Sequence, residues 1–184
     1  MKKYELNCEL INAVLPAVGR EEVRYYLMGV YVEDVDGFRH YTATNGHILL
    51  TAKESIEGEV LEQPLALKIK KPIAAKRLKK GWLQIVDEST AVIVSDEKIA
   101  VDIIDCQYPD YRRVIPSDDT ELAKEFAIFD PEYLKVVNKF IGSMDKIPQM
   151  QSCMSPAMWV VEEVDLVKKA ILMPMRAVNR KKEC

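Results

Sequence analysis

The chain has 184 residues, of which 48% are hydrophobic and 30% charged. This excludes a stapled mini-protein and a largely disordered chain, and it suits one or two ordinary cores. With 26 basic against 29 acidic residues the net charge is −3, so a globally basic nucleic-acid binder is excluded and only a local basic face could hold phosphate.

No apolar run reaches the ~20 residues that span a bilayer. Met1-Lys2-Lys3 leads into Tyr-Glu-Leu-Asn rather than an apolar signal segment. Cys8, Cys106, Cys153 and Cys184 are scattered, with no Cys-x-x-Cys pair, and His40 and His47 lie apart from them. The expectation is free thiols in a reducing cytoplasm, with no metal and no cofactor.

Along the chain, a strand at Tyr4–Leu6 precedes a helix that Asn7 can cap and that carries Leu10, Ile11, Val14, Leu15 and Val18 on one face. Pro16 should end or kink it. Strands are expected over 23–32 and 38–44, with Asp36-Gly37 as their hairpin turn, and over 47–52 after Asn45-Gly46. A second unit starts with a strand at 65–69. Pro72 then opens a predicted helix to Lys80, with Gly81 as its stop. Strands follow over 82–86, 90–94 and 99–104, where apolar residues alternate. A third unit has a strand at 125–129, and Asp130 and Pro131 at the start of a helix over 132–141. Gly142 ends that helix, and strands at 158–162 and 170–173 follow. Helix starts near 8, 72 and 131 give a period of about 60 residues, the mark of duplicated supersecondary units. The fold class expected is α+β with antiparallel sheets.

Catalytic motifs fail on inventory. No glycine-rich phosphate loop, nucleophile elbow or His-Glu-x-x-His spacing exists, and the acidic pairs are adjacent in sequence, so the chain is not expected to be an enzyme. The strongest charge feature is the run Lys68, Lys70, Lys71, Lys76, Arg77, Lys79 and Lys80, with no acid from Gln63 to Val86. On a helix Lys76, Lys79 and Lys80 would share one face, suited to non-specific contact with a phosphate backbone. Lys135 and Lys139 echo this on the third helix. The plain alternative is a solvated basic surface.

Four segments look too specific for mere core: Arg24-Tyr25-Tyr26-Leu27-Met28-Gly29-Val30, Thr42-Ala43-Thr44-Asn45-Gly46-His47, Tyr108-Pro109-Asp110-Tyr111-Arg112-Arg113-Val114-Ile115-Pro116 and Met173-Pro174-Met175-Arg176. In this order they resemble the bacterial DNA polymerase III β subunit, the sliding clamp family, over residues 4–176. The resemblance implies repeated β-α-β-β-β units, about three here. Residues 1–116 would be a complete clamp-like domain, 117–123 a linker, 124–176 a half-domain and 177–184 a basic tail.

It further implies a processivity factor that contacts duplex DNA non-specifically and binds short linear peptides of polymerase, clamp-loader or repair proteins, in a cytoplasmic setting. The implied peptide cleft comprises Leu27, Thr44, Gly46, His47, Leu49, Pro109, Arg113, Val114, Ile171, Met173, Pro174, Met175 and Arg176. The family's repeat count of about twelve per ring implies a homo-oligomer, four chains completing a ring. A non-encircling peptide-binding adaptor or decoy is the alternative. Asn45 and Ile48 depart from the family's usual Asp and Arg at the cleft rim.

Overall fold

The computed structural model describes residues 3–20, 22–75, 79–116, 127–142 and 148–175. Its elements in chain order are β1 (Lys3–Asn7), α1 (Cys8–Val14), β2 (Val30–Val35), β3 (Phe38–Thr44), β4 (Ile48–Ser55), β5 (Leu65–Lys68), β6 (Lys80–Ile85), β7 (Thr90–Val94), β8 (Lys98–Ile104), α2 (Pro131–Ile141), β9 (Ala157–Glu163) and β10 (Leu166–Leu172). Short 3-10 turns cover Leu15–Ala17, Glu22–Leu27 and Tyr111–Val114. The strands form one sheet in the order β1-β6-β7-β8-β5-β2-β3-β4-β10-β9, antiparallel throughout.

Local chemistry sets many boundaries. The Asn7 side chain accepts the backbone N–H groups of Glu9 and Leu10 and so starts α1. Asp36 and Gly37 both take positive φ, 51° and 80°, the geometry of a two-residue hairpin whose twist matches its strands. Asp130 caps α2 through the Glu132 N–H, and Pro131 occupies its first turn.

The central strand β4 is buried from Ile48 to Ala52, so both of its faces are covered. Ile48, Leu50 and Ala52 join Ile11, Val14, Val137 and Phe140 in the main core under the two helices. Leu49 points the other way, into a smaller cluster with Leu27, Tyr108, Tyr111, Met158 and Ile171. The same alternation sends Ala170 and Leu172 to the helix side and Ile171 to the far side. Helices thus cover one face of the sheet, and a second apolar cluster forms on the other.

Three expectations are corrected. Residues 23–29 are not strand: 3-10 turns occupy Glu22–Leu27, with a kink at Arg24, and β2 begins only at Val30. The β-rich composition has no ladder to join there, because β2 meets β5 only over Val30–Val32. Instead the Gly19 N–H donates to the Leu27 carbonyl, and Val23 is 91% exposed.

The helix expected over 72–80 is not formed by its described residues. Pro72–Ala75 is irregular, and Lys80 and Gly81 lie inside β6, opposite Asn7 and Leu6. The Asn12 side chain takes both backbone groups of buried Ile73, at 2.8 Å each, and so replaces the bonds a helix would supply. Gly81 is a close-approach residue rather than a stop, since a Cβ there would sit 2.8 Å from the Cys8 sulfur. Lys76 and Arg77 lie outside the described residues, as do the segments 117–123 and 177–184. In the third unit, residues 127–129 are not strand, and 125–126 lie outside the description.

Candidate functional site

The second apolar cluster floors a cleft. Thr44, Leu49, Ile171 and Met158 stand in one cross-strand row over β3, β4, β10 and β9. Above that row lies a cavity of about 200 Å³. Nine residues expected from sequence line it: Leu27, Thr44, Gly46, His47, Leu49, Pro109, Val114, Ile171 and Met173.

Three other expected residues do not line it. Arg113 is exposed and paired with Asp110 at 2.9 Å, and Asp110 does border the cavity. Pro174 and Met175 run past its end, where the Met175 N–H donates to the Ile128 carbonyl at 2.7 Å. Arg176 lies outside the described residues.

The 44–48 turn is held from within. The Asn45 side-chain oxygen accepts the N–H groups of His47 and Ile48 at 3.0 and 3.1 Å. The Thr44 hydroxyl donates to the Ile48 carbonyl at 2.8 Å and accepts the Gly46 N–H. Gly46 has φ +90°, and a Cβ on it would meet Arg24 Nη1 at 2.8 Å, so this position is reserved for glycine. The Met173 N–H donates to the His47 carbonyl at 2.9 Å, which fastens the chain after β10 to the turn. The Asn45 amide also donates to the Tyr133 hydroxyl at 3.2 Å, whereas an aspartate there could only accept from that hydroxyl. Ile48, expected at the rim, borders the cavity but is 1% exposed and belongs to the main core.

The opposite wall comes from 108–115. Tyr108 stacks on Tyr31, with centroids 4.4 Å apart. The Tyr111 hydroxyl and the Arg112 guanidinium both donate to Glu33 Oε1, at 2.7 and 2.6 Å. Burial pushes the Tyr108 and Tyr111 phenols well above their ordinary range, so they stay protonated.

A further groove of about 560 Å³ shares Arg24, Leu27 and His47 with the cleft and reaches Asp130, Tyr133 and Val136 at the start of α2. Tyr133 stacks on His47 at 5.9 Å. Sequence reading missed Arg24, Asp130 and Tyr133 as neighbours of the cleft, because no spacing links residue 133 to residue 47.

Most of the described basic residues expected to meet phosphate have carboxylate partners. Lys68 ends β5 opposite Asp102. Lys70 pairs with Asp102, Lys71 with Glu97 and Lys79 with Glu9, at 3.3–3.4 Å. Lys80 pairs with both Glu5 and Glu57, which hold its ammonium well above the ordinary lysine range. Lys135 pairs with Glu132 at 2.6 Å. Lys135 and Lys139 border a groove between α1 and α2 that also meets Glu9 and Pro72, on the helix side of the sheet.

Over 127 residues the chain is 32% identical to the β sliding clamp of Caulobacter vibrioides, covering 61% of this chain and 33% of that protein. The clamp of Haemophilus influenzae is 28% identical over 120 residues, with 62% and 33% covered. Over about 60% of its length the chain is similar to bacterial β sliding clamps. It spans about a third of the length of the curated clamps it matches. No protein-family model matches it.

The fold is the DNA clamp fold. A solved sliding clamp of C. crescentus superimposes with TM-score 0.74 at 23% identity, over 96% of this chain and 65% of that one. A Bartonella birtlesii clamp, bound to griselimycin, gives 0.73 at 17% identity, with 95% and 66% covered.

Proposed function

We propose that this chain holds short linear peptides of replication or repair proteins in the cleft over Leu49 and Ile171, and serves as a non-enzymatic, sliding-clamp-like processivity factor in the cytoplasm. The observation that supports this most is the convergence of three distant stretches, around Leu27, Thr44–Leu49 and Pro109–Val114, with Ile171 and Met173 on one apolar cavity. Such a cavity suits the leucine or phenylalanine anchors of an extended peptide. The helix side would face duplex DNA and contact its backbone without reading sequence. A closed oligomer, four chains in the simplest ring, would keep it there.

The experiment is fluorescence anisotropy with a labelled peptide carrying two such anchors. Val114→Glu and Met173→Lys place charge on half-exposed cleft positions and should each weaken binding at least tenfold without unfolding the chain. Unchanged affinity in both would place the peptide elsewhere. For DNA, Lys79→Glu sets a second acid beside Glu9. It should lower the salt slope of DNA binding by about one, the share of a single phosphate contact.

A second reading, an adaptor that does not encircle DNA, is favoured by the carboxylate partners of Lys70, Lys71, Lys79 and Lys80. Exposed pairs of this kind are worth only ~0.2–1 kcal/mol and exchange readily for phosphate, so they do not exclude the first reading. Retention on closed circular DNA, with loss after linearisation, would select the clamp over the adaptor.

A further inference from the structure

Next to the cleft, on the same side of the sheet, is a cavity of about 240 Å³ bordered by His40, Thr51, Lys53, Tyr111, Arg112 and Lys169. It continues the cleft floor. Leu49, Thr51 and Lys53 are alternate residues of β4, and Ile171 and Lys169 are alternate residues of β10, so each set shares one face. The registers place Lys169 opposite Thr51 and His40 opposite Lys53. Tyr111 borders both cavities. Along β4 the floor therefore changes from apolar at Leu49 to hydroxyl and then ammonium at Lys53, within ~13 Å at about 3.3 Å per residue.

The charge of this cavity is positive. Lys53, Arg112 and Lys169 each bring a cation. Lys53 Nζ is held 4.3 Å over the Phe38 ring, a contact that leaves its N–H groups available. Glu33, the carboxylate that meets Arg112, already accepts from both Arg112 and Tyr111. Half-buried His40 lies within electrostatic reach of Glu33, Arg112, Lys53 and Asp34, and the Thr51 hydroxyl is shared with Thr42 at 2.9 Å.

We infer that this cavity receives an acidic side chain of the same peptide that fills the cleft, two to four residues from its apolar anchor. The inference rests on the cleft reading above and adds a selectivity to it: an aspartate or glutamate on the flank that runs toward Thr51. An extended peptide advances about 3.3 Å per residue, as the strand beneath it does, so that spacing brings a carboxylate over Lys53 and Lys169. Partly shielded cations at such a position contribute selectivity and salt dependence more than raw affinity.

The test uses three labelled peptides with identical apolar anchors: glutamate on the N-terminal flank, glutamate on the C-terminal flank, or glutamine on both. One acidic peptide should bind the full chain about three- to tenfold tighter than the neutral one, with the gain shrinking at high salt. Lys53→Gln and Lys169→Gln should each reduce that gain and leave the neutral peptide's affinity unchanged, which also shows that the variants are folded. Equal binding of the three peptides, or a full gain in both variants, would overturn the inference and leave the cleft reading intact. If none of the three binds, the cleft reading fails and this inference with it.

Discussion

Leu49 and Ile171 are register partners across β4 and β10, and both point away from the helices into the small apolar cluster. The cleft floor is thus part of the same ladder that attaches the third unit to the first. The proposed binding surface and the folding unit share these two side chains, which sit at 4% and 2% exposure.

Ile171→Ala should therefore cost stability as well as affinity. Loss of a buried isoleucine side chain removes about 2–5 kcal/mol. Met173→Ala, on a half-exposed side chain beyond the strand, should change stability by under about 1 kcal/mol while weakening peptide binding. Urea denaturation beside anisotropy separates the two effects, and equal stability losses in both variants would contradict the division between floor and rim.

Asn45 ties the cleft turn to α2 through its bond to the Tyr133 hydroxyl. Asn45→Asp keeps the acceptor oxygen for His47 and Ile48 and replaces the donor with a carboxylate oxygen, to which the Tyr133 hydroxyl can turn and donate. Tyr133→Phe removes the bond outright and should cost about 0.5–1.5 kcal/mol. Asn45→Asp should therefore cost less than Tyr133→Phe, and Tyr133→Phe made in the Asn45→Asp background should cost at least as much as in wild type. A Tyr133→Phe variant as stable as wild type in urea denaturation would show that the bond contributes nothing in solution.

Two groups, half-buried His40 and buried Cys8, should make stability depend on pH. His40 has its pKa lowered, first by burial. Its folded value lies below the unfolded value near 6.5. Its contribution is therefore present above about pH 6.5 and is lost as pH falls toward the folded value. Cys8 is pushed up to about 11 from 9.0, first by burial and then by Asp96, so its contribution is complete below about pH 9 and is lost as pH rises toward 11. His40→Gln should flatten the acid limb of a stability–pH curve, and Cys8→Ala the alkaline limb. A variant curve parallel to wild type would remove that residue from the account.

The elements written in local chemistry were legible from sequence: the Asn7 and Asp130 caps, the Asp36-Gly37 turn, and the alternation in β7 and β8. What failed depended on distant partners. The 72–80 segment has helical composition, yet Asn12 holds Ile73 and the ladder to β1 takes Lys80 and Gly81. The lysine run appeared unopposed in sequence because its carboxylates come from β1, α1, the β4–β5 connection and the β7–β8 hairpin region. The cleft was legible only through motif resemblance, since no periodicity brings Leu27, Pro109 and Met173 together.

Among the described residues the sheet ends at β1 and β9, and the proposed ring would need edges such as these to join its chains. On β9 the outward-facing backbone groups can be identified, because Met158 exchanges both of its bonds with Gln149, on the side away from β10. Alternation then turns the Glu162 N–H outward as well. Glu162→Pro deletes that donor while sparing the ladder to β10, a position where edge strands tolerate proline. If β9 joins a neighbouring chain, light scattering should give a closed oligomer for the wild type and a smaller species for Glu162→Pro at the same concentration, with peptide binding retained. A wild-type monomer at every concentration would remove the ring, and an oligomer unaffected by the proline would move the junction to another surface.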